Sequence, residues 1–383
     1  MVNVLGNYDA LFYAQEALIQ LRKALGIAQR IHQGYDAERR TRDVGSVVSI
    51  SRPGTFVAQK GSITTQDLRP AVVNILVDQR PEVRFEVTDV EYAYTGERLI
   101  SDHIAPAAYA LADQIDQDVN ALYKFVPWLY DYGTATDHQV LTGMYQTAFD
   151  HNANMRDPNW HLQIDGALQK GFQDSNMFIS ADMTGPGQNQ TLFNGTLGNR
   201  YGIEIFANQN APTHTVGTVV SGADQLGALT ANLAIGATSM AVGSLGAGTD
   251  TLTAGDTFSI AGNSQRYAVT ANAAMTGGAN TAVTFTPPAV QAYGSGAVVT
   301  FYVQASGARQ QLLFHRNWAA IVFATLPRNI PNIEVETVTD PVTGMSIRAS
   351  RWGDGVNKKS YVSLDCLYGV QQLDGNLAVR GWT

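Results

Sequence analysis

Seven histidines (His32, His103, His138, His151, His161, His214 and His315) are the side chains of this 383-residue chain best suited to acid–base work or metal ligation. Zinc sites and histidine-dependent catalysts set their ligands at short fixed spacings, so that one helix turn or one loop points them together. No HxH, HExxH or CxxC spacing occurs here. The nearest grouping is His151, Asp157 and His161, which the pattern divides between a loop and a strand, so no metal centre is expected. Gly195-Thr196-Leu197-Gly198 precedes a strand rather than a helix, the wrong context for cradling phosphate. Gly355-Val356-Asn357-Lys358-Lys359-Ser360 resembles only the end of a phosphate loop, lacks its first glycine and lies in a β-turn. A G-x-S-x-G nucleophile elbow is absent. Asp113, Asp116 and Asp118 punctuate a helix and read as ordinary solvation of its polar face. The expectation is a protein that is not an enzyme and carries no cofactor or metal.

Cys366 is the only cysteine, which excludes an intramolecular disulfide and suits assembly in a reducing cytoplasm. Its surroundings, Val362-Ser363-Leu364-Asp365-Cys366-Leu367, read as a strand in which the thiol is packed. Charged residues make up 15% of the chain, against roughly 25% in an average soluble domain. Low charge fits a chain that gives much of its surface to other subunits, although Gly-rich β proteins share it. The net charge of −8 leaves no basic footprint for nucleic-acid affinity. The one basic knot, Arg39-Arg40-Thr41-Arg42, is flanked by Asp36, Glu38 and Asp43 and reads as a solvated or salt-bridged turn. The opening MVNVLGNYDALF has neither the basic nor the apolar region of a secretory leader, and no window approaches roughly 18 uninterrupted apolar residues. A soluble protein made inside the cell is expected.

The elements that must hold these side chains follow from periodicity. Residues 8–33 read as a helix with Leu11, Leu18, Leu21, Leu25 and Ala28 on one stripe, Asn7 as its cap and Gly34 as its stop. From about 44 to 94 the period is two. Val73, Ile75 and Val77 share one strand face, although Leu76 makes the alternation imperfect, and Val83, Phe85 and Val87 share another. Asp78-Gln79-Arg80-Pro81 lies between them as a turn, so a long hairpin is predicted over 71–88, preceded by a shorter strand pair around Arg52-Pro53-Gly54. Such a hairpin has too little core of its own and must lean on another part of the chain or on another copy. Ile104, Ala108, Leu111, Ile115, Val119, Leu122 and Val126 then mark a long helix, with Ser101 and Asp102 for cap chemistry, Pro106 in its first turns and Pro127 at its end. At about 1.5 Å per residue it runs roughly 30 Å.

Residues 136–220 mix a helix near 137–151, a strand near Trp160–Ile164, a short helix near 165–172, a Gly185-Pro186-Gly187 turn leading to another short helix, and a strand over Tyr201–Ala207. Gln310–Ala324 reads as an apolar helix holding Leu313, Trp318, Ile321 and Val322, and three antiparallel strands follow between Ile333 and Tyr368. Between residues 222 and 303 only Asp224, Asp250, Asp256 and Arg266 are charged. A disordered linker would be polar or charged and poor in aromatic and β-branched residues. Here Phe258 and Ile260, Tyr267 and Val269, Val283 and Phe285, and Val299, Phe301 and Val303 fall two apart, with Gly, Asn and Pro turns between. That pattern predicts a small β-barrel or sandwich, and the α/β texture on both sides makes it an insertion that leaves its host near 215 and returns near 304.

At this point a family resemblance is visible. SYVSLDCLYGVQQLDGNLAVRGWT resembles the C-terminal strand of tailed-phage major capsid proteins, with its LYG-V and ELAVR-like run. GARQQLLFHRNWAAIVFATLP resembles the helix that follows the inserted domain in those proteins, and GDTFSIAG…YAVT…VTFTPPAV resembles the core of that domain in the Salmonella podovirus, P-twenty-two-type coat family. The chain departs from the pattern at Leu373-Asp374-Gly375-Asn376, where a proline-containing turn is more usual.

The resemblance implies an α+β fold of the HK-ninety-seven type. Its parts would be an N-terminal arm helix (1–43), an extended β-hairpin loop (44–94), a spine helix of the peripheral domain (95–130), an axial domain in two parts (131–215 and 304–330), an inserted β-barrel or sandwich (216–303) and peripheral C-terminal strands (331–383). It implies a structural major capsid protein that self-assembles as hexamers and pentamers into the icosahedral head of a tailed double-stranded DNA bacteriophage. Such a protein would be assembled in the host cytoplasm, would reside in the virion, and would enclose DNA without sequence-specific binding and without a membrane. A scaffolding protein, a portal and a decoration protein are the implied partners. On this reading Val73, Ile75, Val77, Val83, Phe85 and Val87 of the hairpin, with Leu18, Leu21 and Leu25 of the arm helix, are the expected intersubunit contacts. An encapsulin-like cage of the same fold is one alternative, opposed by the inserted domain. A secreted β-rich adhesin or binding module is the alternative of another class, opposed by the missing leader and the long amphipathic helices.

Overall fold

The computed structural model describes residues 10–33, 47–52, 60, 71–88, 98–151, 155, 157–175, 197–220, 225–245, 250–328, 331, 333–340 and 343–382. Asn7, Gly34, the Arg39–Arg42 knot, Pro53-Gly54 and the Gly185-Pro186-Gly187 turn with the helix expected after it lie outside these residues. The chain divides into two compact units, Met1–Val119 with Ala319–Leu373 and Asn120–Trp318 with Asp374–Thr383. These limits differ from the expected domain boundaries, since residues 319–330 group with the first unit and 374–383 with the second.

In the first unit, helix α1 (Ala10–Ala24) packs on the strands Glu334–Thr339 and Ser346–Asp354. Its buried face is Tyr13, Ala14, Ala17 and Leu21, so the expected stripe is rotated, with Leu11 exposed and Leu18 half-buried. The helix also stops ten residues before Gly34, because the next turn is held differently: the Gly26 and Ala28 N–H groups donate to Asp116 at 2.6 and 3.1 Å. Helix α2 (Arg98–Asn120) buries Ile104, Ala108, Leu111, Ile115 and Val119 as its period predicts. It begins before Ser101 and Asp102, which therefore do not cap it, and Pro106 lies more than two turns inside it. The Pro106 ring is on the exposed side, where one missing rung of the ladder is tolerated.

Strands β1 (Val47–Arg52) and β2 (Ala71–Leu76) pair antiparallel with Val48 opposite Ile75 and Ile50 opposite Val73. Strand β3 (Glu82–Thr88) pairs elsewhere, with Lys359–Asp365, at the edge of a four-stranded antiparallel sheet completed by Ser346–Asp354 and Glu334–Thr339. The predicted hairpin over 71–88 is therefore not formed. Gln79, in its intended turn, bridges Tyr368 instead, and the Cys366 N–H reaches the Pro81 carbonyl at 3.4 Å. The ribbon is formed one strand earlier, between β1 and β2.

The expected helix over Gln310–Ala324 is also corrected, to two strands, Gln311–His315 and Ala319–Ala324, about a 3-10 turn at Arg316–Trp318. Every residue of both strands is buried, so the run is covered on all sides and carries no helical stripe. Within the first unit, Ala319–Ala324 pairs with Leu367–Gln372, and Ala320, Val322 and Ala324 form a small core with Val48, Ile50, Ile75 and Val77. Gly369 lets this layer close, since a Cβ there would meet the Leu76 carbonyl oxygen at 2.2 Å.

The second unit is built on a six-stranded mixed sheet in the order Leu129–Asp131, Ala378–Trp382, Gln311–His315, Trp160–Ile164, Ile203–Ala207, Asn199–Arg200. Helices α3 (His138–Asp150) and α4 (Gly166–Asp174) are capped by Asp137 and Asp165, which accept from the N–H groups of Gln139 and Leu168. They contribute Val140, Leu141, Met144, Leu168 and Phe172 to a core shared with Trp160, Leu162 and Leu313. Gln225–Leu229, Ser239–Gly243, Thr257–Ile260, Arg266–Val269, Asn280–Thr286 and Val298–Phe301 close into an antiparallel barrel. Phe258 lies at the centre of a ring cluster in its core, 5.4 Å from Tyr267, 5.5 Å from Phe285 and 5.4 Å from Phe301. The chain enters by Thr213–His214 and leaves by Ala308–Arg309, and these two short strands pair with each other.

Candidate functional site

Strand alternation divides the β1–β2 ribbon into two faces. Ile75 and Val77 are buried and Val73 is half-buried, all toward the core of their own unit. The opposite face carries Val47 across from Leu76 and Val72 across from Ser51, with Ser49 donating to Asn74 at 2.9 Å between them. Val47, Val72 and Leu76 are exposed. On β3, Val83 and Phe85 are half-buried, the Phe85 ring lying 6.1 Å from that of His103, and the Val87 backbone pairs with Ser360. On α1 and just after it, Leu21 and Leu25 are buried and Leu18 is half-buried. Ile75, Val77, Leu21 and Leu25, expected as intersubunit contacts, are packed within their own unit. The apolar row left open is Val47, Val72 and Leu76. Its trace in the sequence was Leu76, which broke the alternation as a large apolar residue on the polar face.

The histidines are not brought together. His151 stacks on Trp128 with ring centroids 3.2 Å apart, and burial pushes its imidazole down to about 4. Asp157 pairs with His315 at 3.2 Å, and His161 pairs with Glu204 at 2.8 Å. His151, Asp157 and His161, near one another in sequence, take part in three different contacts.

The densest polar cluster lies where the barrel meets the six-stranded sheet, inside the second unit. His214 Nε2 is 3.1 Å from Asp256 Oδ1 and its Nδ1 is 3.1 Å from the Tyr123 hydroxyl. Burial lowers the His214 pKa, which favours the neutral ring. Asp256 can only accept, so Nε2–H donates to it and Nδ1 is left to accept from Tyr123. Asp256 also accepts from the N–H groups of Gly217 and Thr253, the latter at 2.7 Å. Arg380, fully buried and still protonated with its pKa lowered to about 10 by burial, donates through Nη2 to the Gly255 carbonyl at 2.7 Å. Gly255 holds φ at +106°, and a Cβ there would meet His214 Cε1 at 2.8 Å. A Tyr–His–Asp set is acid–base chemistry in kind, but all three residues are buried, so a substrate has no way to reach it. Its effect is to fix the root of the barrel to the sheet.

Buried carboxylates lock the first unit as well. Asp116 is buried on α2 beneath Gly26 and Ala28, a correction to its expected place on a solvated face, and Asp118 accepts from the Tyr368 hydroxyl at 2.6 Å. Asp365, also buried, takes Arg348 on both oxygens and Arg80 on one. Cys366 beside it is buried, and burial pushes its thiol up to about 12, the condition of an inert packed residue.

No protein-family profile and no curated protein matches the chain. Among solved structures, a chain of Mycobacterium phage Che8 is similar with a TM-score of 0.50 at 13% identity, over 93% of this chain and 90% of that one. The capsid structure of the cyanophage P-SCSP1u is similar with a TM-score of 0.46 at 13% identity, over 88% of this chain and 84% of that one. The asymmetric unit of the bacteriophage PhiM1 mature capsid is similar with a TM-score of 0.46 at 11% identity, over 88% and 82%. At such identities a likeness speaks for fold, and over nearly its whole length this chain shares the mixed helix-and-strand fold of the Che8 chain.

Proposed function

We propose that this chain is a major capsid protein that self-assembles into the icosahedral head of a tailed double-stranded DNA bacteriophage. The observation that carries the reading is the fold shared with the Mycobacterium phage Che8 chain, which takes in nine-tenths or more of both chains, at 93% and 90%. The role is structural, with no reaction to catalyse. On this reading α1 belongs to the N-terminal arm, the β1–β2 ribbon belongs to the extended loop, and α2 is the spine. The four-stranded sheet belongs to the peripheral domain, the six-stranded sheet to the axial domain, and the barrel is the inserted domain of the P-twenty-two type. Copies would assemble as hexamers and pentamers in the host cytoplasm, with a scaffolding protein and portal, and a decoration protein as a further partner, to give a virion shell around DNA bound without sequence preference.

Expression of the chain alone and with its neighbouring genes, followed by negative-stain microscopy, tests this. Closed shells or shell-like tubes are expected, and a monomer that never assembles under any condition overturns the reading. The exposed face of the ribbon supplies a sharper test. Val72→Asp adds a charge at a side chain 64% exposed, so the variant is expected to fold with little change in melting temperature and to lose shells. Phe85→Asp is the wrong probe, because the half-buried Phe85 ring belongs to the chain's own four-stranded sheet.

A further inference from the structure

Arg380 is fully buried in the second unit, and of its three nitrogens Nη2 alone has a protein partner, the Gly255 carbonyl. Among the described residues nothing accepts from Nε or Nη1. Gln163 stands in the same cross-strand row as Arg380, with Leu312 between them, so both side chains leave the six-stranded sheet on one face. Gln163 Nε2 donates to Asn120 Oδ1 at 2.7 Å, while its Oε1 is buried with no partner among the described residues. Asn120 directly precedes the 3-10 turn Ala121–Phe125, whose Tyr123 ring lies 5.7 Å from the Arg380 guanidinium carbon. On the barrel side, Thr257 follows Gly255 by two residues and is buried with its hydroxyl equally unpartnered. The Tyr302 N–H bonds the Thr257 carbonyl at 2.9 Å, in the antiparallel register that pairs Phe258 with Phe301 and brings Gln304 alongside Gly255. Gln304 is 2% exposed, and neither its amide oxygen nor its amide nitrogen has a partner among the described residues. The sheet, the turn and the barrel root thus enclose orphaned polar atoms in one buried layer.

We propose that this layer is a binding site for a cluster of ordered water molecules, which join the barrel root to the sheet through Arg380, Thr257, Gln304 and Gln163. The orphaned atoms themselves select the ligand. Arg380 Nε and Nη1 and Gln304 Nε2 can only donate, Gln304 Oε1 and Gln163 Oε1 can only accept, and the Thr257 hydroxyl does either. An anion would serve the donors and leave the amide oxygens bare, and a cation would do the reverse. Water serves both. Guanidinium geometry agrees, since the edge between Nε and Nη1 is filled by the arginine's own Cδ, so no single oxyanion grips both nitrogens in a fork. Charge agrees too. Asp256 already offsets the Arg380 charge, and its own oxygens are occupied by His214, Gly217 and Thr253. Left dry, each orphan would carry the penalty of burial without a bond, whereas a buried water typically makes about three hydrogen bonds to such groups. The water site does not depend on shell formation.

The sign of a stability change separates a wet layer from a dry one. In a dry layer, Thr257→Val and Gln304→Met remove buried polar atoms that bond nothing, and the full chain becomes no less stable. In a wet layer each variant breaks bonds to water, and each is expected to raise the unfolding constant about three- to tenfold in denaturant titrations. An unfolding constant that is unchanged or lower in either variant overturns the proposal. The wild-type chain supplies a second measurement, a crystallographic or electron-microscopy map at a resolution that shows ordered water. Separate peaks are expected within about 2.7–3.2 Å of Arg380 Nε and Nη1, at least one of them also bonded to the amide oxygen of Gln304 or Gln163. Three results overturn the water site: no peaks, Arg380 nitrogens bonded to protein groups instead, or a single peak that touches donors alone, as an anion would.

Discussion

Asp116 shows how one side chain can join distant parts of a fold at a cost. Burial raises its carboxyl from 3.8 to about 6, against the opposing pull of the Gly26 and Ala28 N–H groups. Because the folded pKa is the higher one, the folded state holds this proton more tightly than the unfolded chain does. The associated stability is fully present below about pH 4 and is lost as pH rises through about 6. A rise of that size corresponds to on the order of 3 kcal/mol. Asp116→Asn is therefore expected to remove this component, so that wild-type stability relative to the variant falls between pH 4 and 6.5 in denaturant titrations. A wild-type-minus-variant difference that stays flat across that range sinks the assignment. His151 has the opposite sign. Its folded pKa of about 4 lies below the ordinary 6.5, so the stability it carries is lost as pH falls through that window, and its ring is expected not to titrate above pH 5 by NMR. The sequence period did place Asp116 on α2, next to the buried Ile115. What it could not contain is the pair of donors that claim it, which stand 90 and 88 residues away in the chain.

Elements were legible where a side-chain pattern acts locally and illegible where a partner must be chosen. The strand at Trp160–Ile164 and the stripe of α2 are local facts of burial, and their positions follow from periods of two and 3.6. Both β2 and β3 were visible as well, yet their pairing was misread, because Asp78–Pro81 has turn residues and no local rule says that Gln79 will bridge Tyr368 instead. The barrel was readable because each of its strands repeats the same inward alternation. Phe258 is central to it, touching three other rings. Phe258→Ala is expected to cost about 3–5 kcal/mol, enough to loosen the barrel, with loss of near-ultraviolet aromatic dichroism as the readout. At the barrel root, Asp256→Ala strands the Gly217 and Thr253 N–H groups and removes a carboxylate that favours the buried Arg380 charge. A loss of about 3–5 kcal/mol is expected in chemical denaturation, with Asp256→Asn recovering part of it because an amide oxygen still accepts. Equal losses for both variants would mean that packing, not charge and hydrogen bonding, sets the stability of the root.

For the whole molecule the governing quantity is charge. The position of the barrel was readable from composition, since residues 222–303 hold four charged side chains among 58 Lys, Arg, Asp and Glu in the chain. Closure into two units was not, because the strands Gln311–His315 and Ala319–Ala324 are adjacent in sequence and belong to different units. On the proposed shell reading, a net charge of −8 on each copy sets assembly against a long-range repulsion that grows with every subunit added. Salt shortens the reach of that repulsion, from about 30 Å at 0.01 M to about 8 Å at physiological ionic strength, while the exposed apolar row of the β1–β2 ribbon is little affected. Shell formation by the purified chain is therefore expected to speed up between low and moderate salt, followed by light scattering at fixed protein concentration. The opposite trend, slower assembly as salt rises, would mean that the contacts between copies are made by opposite charges, and the exposed apolar row identified above would then not be what joins them.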